Sequence, residues 1–192
     1  MRLDKQETQD TLITIFLLTI ALSILLIQVT TTIQQAIFTS LLAITISVLA
    51  RQAAQKYFAH KHNKQVTFQI NTLTALLSIP VAFIGVLLAA PGKTIISGFV
   101  SRKEQGIIAA IGPITSLAIA LITLTIFFTG INTALIASFV LLNSYYALFT
   151  LLPLWEFDGE KIFTYNKTIY AALITTSAVL AFIASTYVLP TL

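Results

Sequence analysis

The chain has 192 residues, of which 57% are hydrophobic and only 9% are charged. Soluble domains carry about 25% charged residues, so this composition excludes an ordinary soluble domain and indicates helices packed in lipid. Cysteine is absent, which excludes disulfides and thiolate metal sites, and the net charge of +4 lies beside apolar stretches, where it reports membrane topology rather than a nucleic-acid partner.

Apolar stretches long enough to cross ~30 Å of hydrocarbon as helices recur along the chain. The first covers residues 11–29 and is interpreted as a retained anchor, because the positive region and the small-residue cleavage site of a signal peptide are missing. An uncharged turn at residues 30–35 leads into a second helix, whose last two turns become polar around Arg51, Gln52, Gln55 and Lys56. Further spans are predicted at residues 107–128, 133–152 and 168–189.

Residues 71–90 form another apolar stretch, interrupted by Pro80 and Gly85 and ended by Pro91-Gly92. If this stretch crosses the membrane, the 11 Lys and Arg residues divide six to five between the two sides. If it returns, all 11 lie on one side together with the 7 acidic residues. Because Lys and Arg mark cytoplasmic loops, the count favours a re-entrant hairpin with its bends at these prolines and glycines; a plain sixth span is the alternative.

The sequence therefore predicts a polytopic all-α membrane protein forming one domain over residues 1–192. It has five or six transmembrane helices, a re-entrant hairpin and a small strand-like segment near residues 91–106. The amino terminus and the charged loops are predicted to be cytoplasmic. Under the hairpin topology, Arg51, Gln55 and Asp158 lie on the same side and can form one site; with six full spans they cannot.

The most polar end of any span is LFTLLPLWEFDGEKIF, residues 148–163. After Pro153 it places four charged groups within six residues: Glu156, Asp158, Glu160 and Lys161. Charged groups crowded onto the end of a membrane-length segment usually mark an interface or a functional site.

These motifs together resemble the site-2 intramembrane metalloproteases of the archaeal type. LLPLWEFDGEKIF resembles the carboxyl-terminal signature in which an aspartate is the third zinc ligand, a role that would fall to Asp158. Gly112-Pro113 resembles the Gly-Pro-x-x-Asn of the preceding core helix, and residues 90–98 resemble a segment that folds as strands beside the site. Residues 49–57 lie where the family has its His-Glu-x-x-His helix. The resemblance covers about residues 40–165 and leaves extra helices at 11–29 and 168–189.

The positions that would perform the chemistry differ from the family. Arg51 and Gln55 stand in place of the two histidines, Gln52 in place of the glutamate, Thr150 in place of the substrate-orienting asparagine, and Ser116 in place of a second asparagine. Arginine is permanently protonated and repels a cation, and a lone carboxylate does not hold catalytic zinc. The resemblance thus implies a catalytically inactive relative with no metal and no cofactor. Arg51 would replace the metal as the partner of Asp158, with Gln55 as a nearby donor.

Simpler interpretations of the same residues stay open. Asp158-Gly159 is also a common turn at a helix end. Arg51 and Lys56 can snorkel to the lipid headgroups. His60 and His62 could form a relocated metal site with Asp158.

Three functions are consistent with this pattern. The first is a pseudoprotease that binds a transmembrane or juxtamembrane segment of a client without cutting it. The second is a structural accessory subunit of a larger membrane complex, and the third is an active protease with unorthodox ligands. The expected partners are the lipid bilayer and another membrane protein. An open groove lined by residues 91–106 would favour client binding, and a large flat apolar face would favour the accessory role.

Overall fold

The computed structural model describes residues 5–27, 32–131, 133–154 and 157–191. These parts of the chain form seven α-helices and one two-stranded antiparallel sheet. The helices are α1 (Lys5–Ile27), α2 (Ile33–Lys61), α3 (Thr72–Ala82), α4 (Arg102–Phe128), α5 (Ala134–Thr150), α6 (Asp158–Tyr165) and α7 (Lys167–Ile183); the strands are β1 (Gln65–Ile70) and β2 (Gly92–Ser97). A π-helical turn (Ala184–Val188) and a 3-10 turn (Leu189–Thr191) continue α7.

Four helices in the described chain are long and apolar enough to cross a membrane: α1, α2, α4 and α7 with its π-helical turn. The fifth apolar helix in the core, α5, has 17 residues and is shorter than these. The prediction of a mostly helical chain with several membrane-length helices is therefore confirmed.

Five of the helices begin directly after a Thr, Asn or Ser whose side chain accepts a hydrogen bond from a backbone N–H of the first turn. Such N-caps satisfy donors that have no partner inside the helix. The capping residues are Thr32, Asn71, Ser101, Thr133 and Asn166.

Two helices begin earlier than the sequence predicts. Because α1 begins by Lys5, the polar residues before position 11 belong to the first helix. Because α2 begins at Ile33, the end of the predicted turn at residues 30–35 is helical. Residues 28–31, from the end of the predicted first span into that turn, lie outside the described residues, as do Asn132 of the predicted turn at 129–132, and Trp155 and Glu156.

The segment predicted to be re-entrant turns back on itself. Helix α3 runs through Pro80, the chain reverses at Gly85, where φ is 83°, and a stretch without regular secondary structure leads back to Pro91. The Asn71 N–H donates to the Pro91 carbonyl at 2.7 Å, so the two ends of the segment meet. The chain reverses within this segment as the hairpin interpretation requires, and its return within a membrane stays a prediction. Of the three predicted bends only Gly85 is one, because Pro80 lies inside α3 and Pro91-Gly92 leads directly into β2.

The strand-like segment predicted near residues 91–106 is shorter than expected, and its partner was not predicted. β2 ends at Ser97, and the residues from Arg102 onward form the first turn of α4, where Ser101 and Glu104 make a reciprocal capping box. β2 pairs with β1 in antiparallel register, with Phe68 opposite Thr94. The prediction of strand structure after residue 101 is therefore wrong.

Most of the charged residues gather at one end of the helix bundle. Glu7 at the start of α1 contacts Lys56 near the end of α2, and Lys64 after α2 contacts Glu104 at the start of α4. A continuous apolar core, built from α1, α2, the hairpin, α4, α5 and α7, fills the rest of the bundle. Arg51, Gln55 and Asp158 lie at this same charged end, as the hairpin topology predicts.

Candidate functional site

Asp158 is the first residue of α6 and is buried, with 3% of its surface exposed. Gly159 lets α6 begin directly against the end of α5, because a Cβ at this position would collide with the Leu151 carbonyl. Ile162 then packs α6 onto Leu151 and α4. The positive end of the α6 dipole favours a carboxylate in the first turn. The Asp-Gly pair is therefore a packed helix start that directs a carboxylate into the bundle.

Arg51 is the partner of Asp158. The Arg51 Nη2 atom lies 2.6 Å from Asp158 Oδ2, and both side chains are at most 5% exposed. Arg51 Nη1 donates to Ser116 Oγ at 3.2 Å, and its guanidinium lies over the Tyr146 ring, 4.5 Å from the centroid. These contacts join α2 to α4, α5 and α6 at one point. The pairing predicted from the sequence is confirmed.

Gln55 connects this ion pair to the sheet. Its Nε2 amide donates to Asp158 Oδ2 at 3.5 Å, at the long end of the range for a hydrogen bond, and its Oε1 accepts from Thr94 Oγ1 at 3.2 Å. Since Gln55 is four residues after Arg51, both side chains leave the same face of α2. The predicted role of Gln55 as a neutral donor near Asp158 is confirmed, and its bond to Thr94 was not predicted.

Gly112 gives the two α2 side chains the room they occupy. A Cβ at this position would lie 2.6 Å from Gln55 Nε2 and 2.8 Å from Arg51 Nη2. The Gly112-Pro113 pair lies inside α4, which continues past it without a break. This glycine therefore allows close packing against the ion pair.

Of the positions that depart from the family pattern, Gln52 and Thr150 have no hydrogen bond to Asp158 or to Arg51 in the described chain. Gln52 faces α1, where its amide donates to Thr11 Oγ1 at 3.1 Å. Thr150 is buried, and its hydroxyl donates back to the Tyr146 carbonyl of its own helix at 2.7 Å. The site proper therefore consists of Arg51, Gln55 and Asp158, extended by Ser116.

Asp158-Gly159 does lie at a helix end, but the other two simpler interpretations differ from the structure. Arg51 and Lys56 do not snorkel, because each forms a buried ion pair. His60 and His62 are exposed at the end of α2, while Asp158 is buried and paired with Arg51. Across the described ranges, no three His, Asp or Glu side chains lie close enough together to hold a metal ion.

The donor set around Asp158 does not fit zinc. Zinc sites use imidazole, thiolate and carboxylate ligands, and here the carboxylate faces a guanidinium and an amide nitrogen. Asp158 Oδ1 has no hydrogen-bond partner among the described residues, so the carboxylate keeps capacity that its present partners do not use. The arrangement can neutralise charge and position helices.

A second buried ion pair on α2 was missed by the sequence reasoning. Lys56 Nζ lies 2.7 Å from Glu7 Oε2, and Glu7 Oε1 accepts the Phe68 N–H at 2.9 Å. Asp10 accepts the Ile70 N–H at 3.2 Å. The i, i+3, i+4 spacing of Glu7, Asp10 and Thr11 on one helical face was the available signal.

An open groove of about 500 Å³ lies between β2, the start of α4 and α6. It begins beside the ion pair, because Thr94 contacts Gln55 through its side chain and lines the groove. Three cations and one anion line it: Lys93, Arg102, Lys161 and Glu160. Most of its lining residues belong to the segment 91–106, where an open groove was the feature that would favour client binding.

No protein-family model, curated protein or solved structure matches this chain. The assignment of function therefore depends on the geometry of the site itself.

Proposed function

We propose that this protein is a catalytically inactive, site-2-protease-like membrane protein that binds a segment of a membrane partner without cutting it. The observation that carries the proposal is the Arg51–Asp158 pair at 2.6 Å. In the family pattern, the residues that face this aspartate are metal ligands. Here a permanently charged guanidinium faces Asp158 instead.

The ion pair supports this function by fixing the walls of the groove. Asp158 belongs to α6, which forms one wall, and Gln55 binds Thr94 of β2, which forms the other. An unpaired charge in the membrane interior costs about 2.5 kcal/mol or more, so loss of a metal would require a replacement cation. Arg51 provides that charge and holds the α6 wall against α2, while Gln55 holds the β2 wall.

In the proposed topology the charged end of the bundle faces the cytoplasm. This orientation agrees with the preference of Lys and Arg for cytoplasmic loops, because the Lys and Arg residues of the groove and of the ion pairs lie at this end. Helices α1, α2, α4 and α7 then span the bilayer, the shorter α5 returns the chain from the end of α4 to the cytoplasmic side, and the 71–90 hairpin enters and returns within the protein. The groove would therefore receive a juxtamembrane segment on the cytoplasmic side.

One observation favours a second candidate, an accessory subunit of a membrane complex. Only 22% of the apolar stretch of α7 is buried inside the protein, against 50% for α1 and α4. Phe182 of α7 is 65% exposed and Tyr187, in the π-helical turn, is 60% exposed. This face would pack against another subunit in a complex or against lipid in an isolated protein.

Site-specific photocrosslinking separates the two candidates. A photoreactive residue is placed at Ile95 in the groove or at Phe182 on α7, and the crosslinked membrane proteins are identified after gentle detergent extraction. Client binding predicts discrete adducts from Ile95. Adducts that form only from Phe182, with a single partner protein in a one-to-one ratio, would support the accessory subunit instead. Zinc is measured on the same purified sample, because one zinc ion per chain would support an active protease.

A further inference from the structure

The outer edges of β1 and β2 differ in what the rest of the chain places against them. In an antiparallel pair, residues directly opposite each other alternate between pairs that bond to one another and pairs whose N–H and C=O groups point outward. The N–H groups of Phe68 and Ile70 point outward, because they bond to Glu7 and Asp10 of α1. The outer edge of β1 is therefore closed by two carboxylates.

The same register makes the outer edge of β2 face the groove. Thr94 lies opposite Phe68 and Ile96 lies opposite Val66, so their backbone groups also point away from the partner strand. Both residues line the groove. An edge of this kind offers main-chain donors and acceptors to an added extended segment.

Lys161 occupies one of these edge positions. Its Nζ atom donates to the Thr94 carbonyl at 2.5 Å, across the groove from α6 to β2. No carboxylate in the described chain forms an ion pair with Lys161. A partly buried ammonium group is here satisfied by a neutral carbonyl, which is a weaker partner than a carboxylate.

We propose that the groove takes an extended, acidic peptide segment, and that Lys161 moves from the Thr94 carbonyl to a carboxylate of that segment. The inference rests on the proposed client-binding function and names the chemistry of the client. A main-chain N–H of the segment then replaces Lys161 on the Thr94 carbonyl. Lys93 and Arg102 also line this groove, and Glu160 is the one acidic side chain among the described residues of its lining. The backbone edge favours a peptide over a lipid headgroup, which has no matching series of donors and acceptors.

The test uses the full chain in zwitterionic nanodiscs and three blocked ten-residue peptides of Thr and Val that carry three Glu, three Gln or three Lys. Fluorescence anisotropy should show the Glu peptide binding about ten-fold more tightly than the Gln peptide, with the Lys peptide weakest. Lys161→Gln should remove most of this preference. Lys103→Gln is the matched control, because Lys103 is exposed and does not line the groove, and it should leave the preference unchanged.

Backbone hydrogen exchange reports the binding mode on the same samples. The Glu peptide should slow exchange at the Thr94 and Ile96 amides, while exchange at Phe68, on the closed edge, stays unchanged. Slower exchange at the groove together with the Glu preference would support the inference.

Four results would overturn it, and each leaves the proposed function separately decidable. Equal binding of the Glu and Gln peptides would show a groove that does not select acidic segments. Glu-peptide binding that is unaffected by Lys161→Gln would show that Lys161 does not move from the Thr94 carbonyl to a carboxylate of the segment. If phosphatidylserine added to the nanodisc abolishes Glu-peptide binding and Lys161→Gln restores that binding, this pair of results would assign the groove to an anionic lipid. If no peptide binds, the inference fails, and the Ile95 crosslinks alone then decide whether a client occupies the groove.

Discussion

Helix α2 carries two buried ion pairs of similar length that differ in how completely their carboxylates are satisfied. In the Glu7–Lys56 pair, one carboxylate oxygen takes the ammonium group and the other takes the Phe68 N–H. In the Arg51–Asp158 pair, Oδ2 takes both Arg51 and Gln55, while Oδ1 has no partner among the described residues. Buried carboxylate oxygens are normally bonded, so the second pair is the unusual one.

The difference indicates what each pair does. Glu7 is a structural connector, since it ties α1 to α2 and closes one edge of the sheet with complete bonding. Around Asp158, Gly112 leaves room for the side chains of Arg51 and Gln55, and Ser116 accepts a second hydrogen bond from Arg51. Among the described residues, the Asp158 carboxylate therefore keeps bonding capacity that the Glu7 carboxylate does not.

The largest expected effect comes from removing each cation. Arg51→Ala should lower the free energy of unfolding by about 3–5 kcal/mol, because it leaves a buried carboxylate without a charge partner. Lys56→Ala should cost about 1–3 kcal/mol, since Glu7 keeps the Phe68 N–H. Unfolding by SDS titration in mixed micelles measures both. Equal losses would mean that the two pairs are equivalent and would break the comparison.

Double-mutant cycles should sharpen the same contrast. Arg51→Ala with Asp158→Asn should be more stable than Arg51→Ala alone, with a coupling energy of about 2–3 kcal/mol. The matched cycle of Lys56→Ala with Glu7→Gln should give about 1 kcal/mol or less, because Glu7 is held by a second bond. Additive losses at Arg51 and Asp158 would show that the pair contributes no net interaction.

The smallest effect is local and belongs to the structural pair. Glu7→Ala leaves the Phe68 N–H without its acceptor, so exchange of that amide should accelerate by about ten-fold, equivalent to about 1.4 kcal/mol. Asp158→Asn should leave the Phe68 amide unchanged, because Asp158 does not touch β1. Hydrogen exchange resolved at the residue level is the measurement. Acceleration in both variants would mean that the sheet depends on the core pair.

Much of the helical architecture follows from the sequence because it depends on local signals. Uninterrupted apolar stretches predict membrane-length helices, and the distribution of Lys and Arg predicts that residues 71–90 return. The Arg51–Asp158 pair follows from the cost of an unpaired charge together with the family pattern. Each of these inferences needs only the spacing of residues and one energetic rule.

The parts that were missed depend on contacts between distant segments. β1, QVTFQI, is six residues long and is stabilised by β2 and by α1 carboxylates some 60 positions away, which no local pattern reveals. Lys161 was grouped with the charges of α6, yet its partner is a backbone carbonyl of β2. Asp158-Gly159 was open to a turn interpretation because the need for glycine arises from Leu151, in the preceding helix terminus.

The most direct test of the central claim, that Arg51 stands where a metal-ligand set would stand opposite Asp158, is to restore that set. Arg51→His with Gln55→His places two imidazoles four residues apart on the helix face that already contacts Asp158. Zinc content of the purified, folded variant is measured beside the unchanged protein. The account predicts one zinc ion per chain in the variant, lost again when Asp158→Asn is added, and no stoichiometric zinc in the unchanged protein. Stoichiometric zinc in the unchanged protein, or a folded variant that binds none, would contradict it.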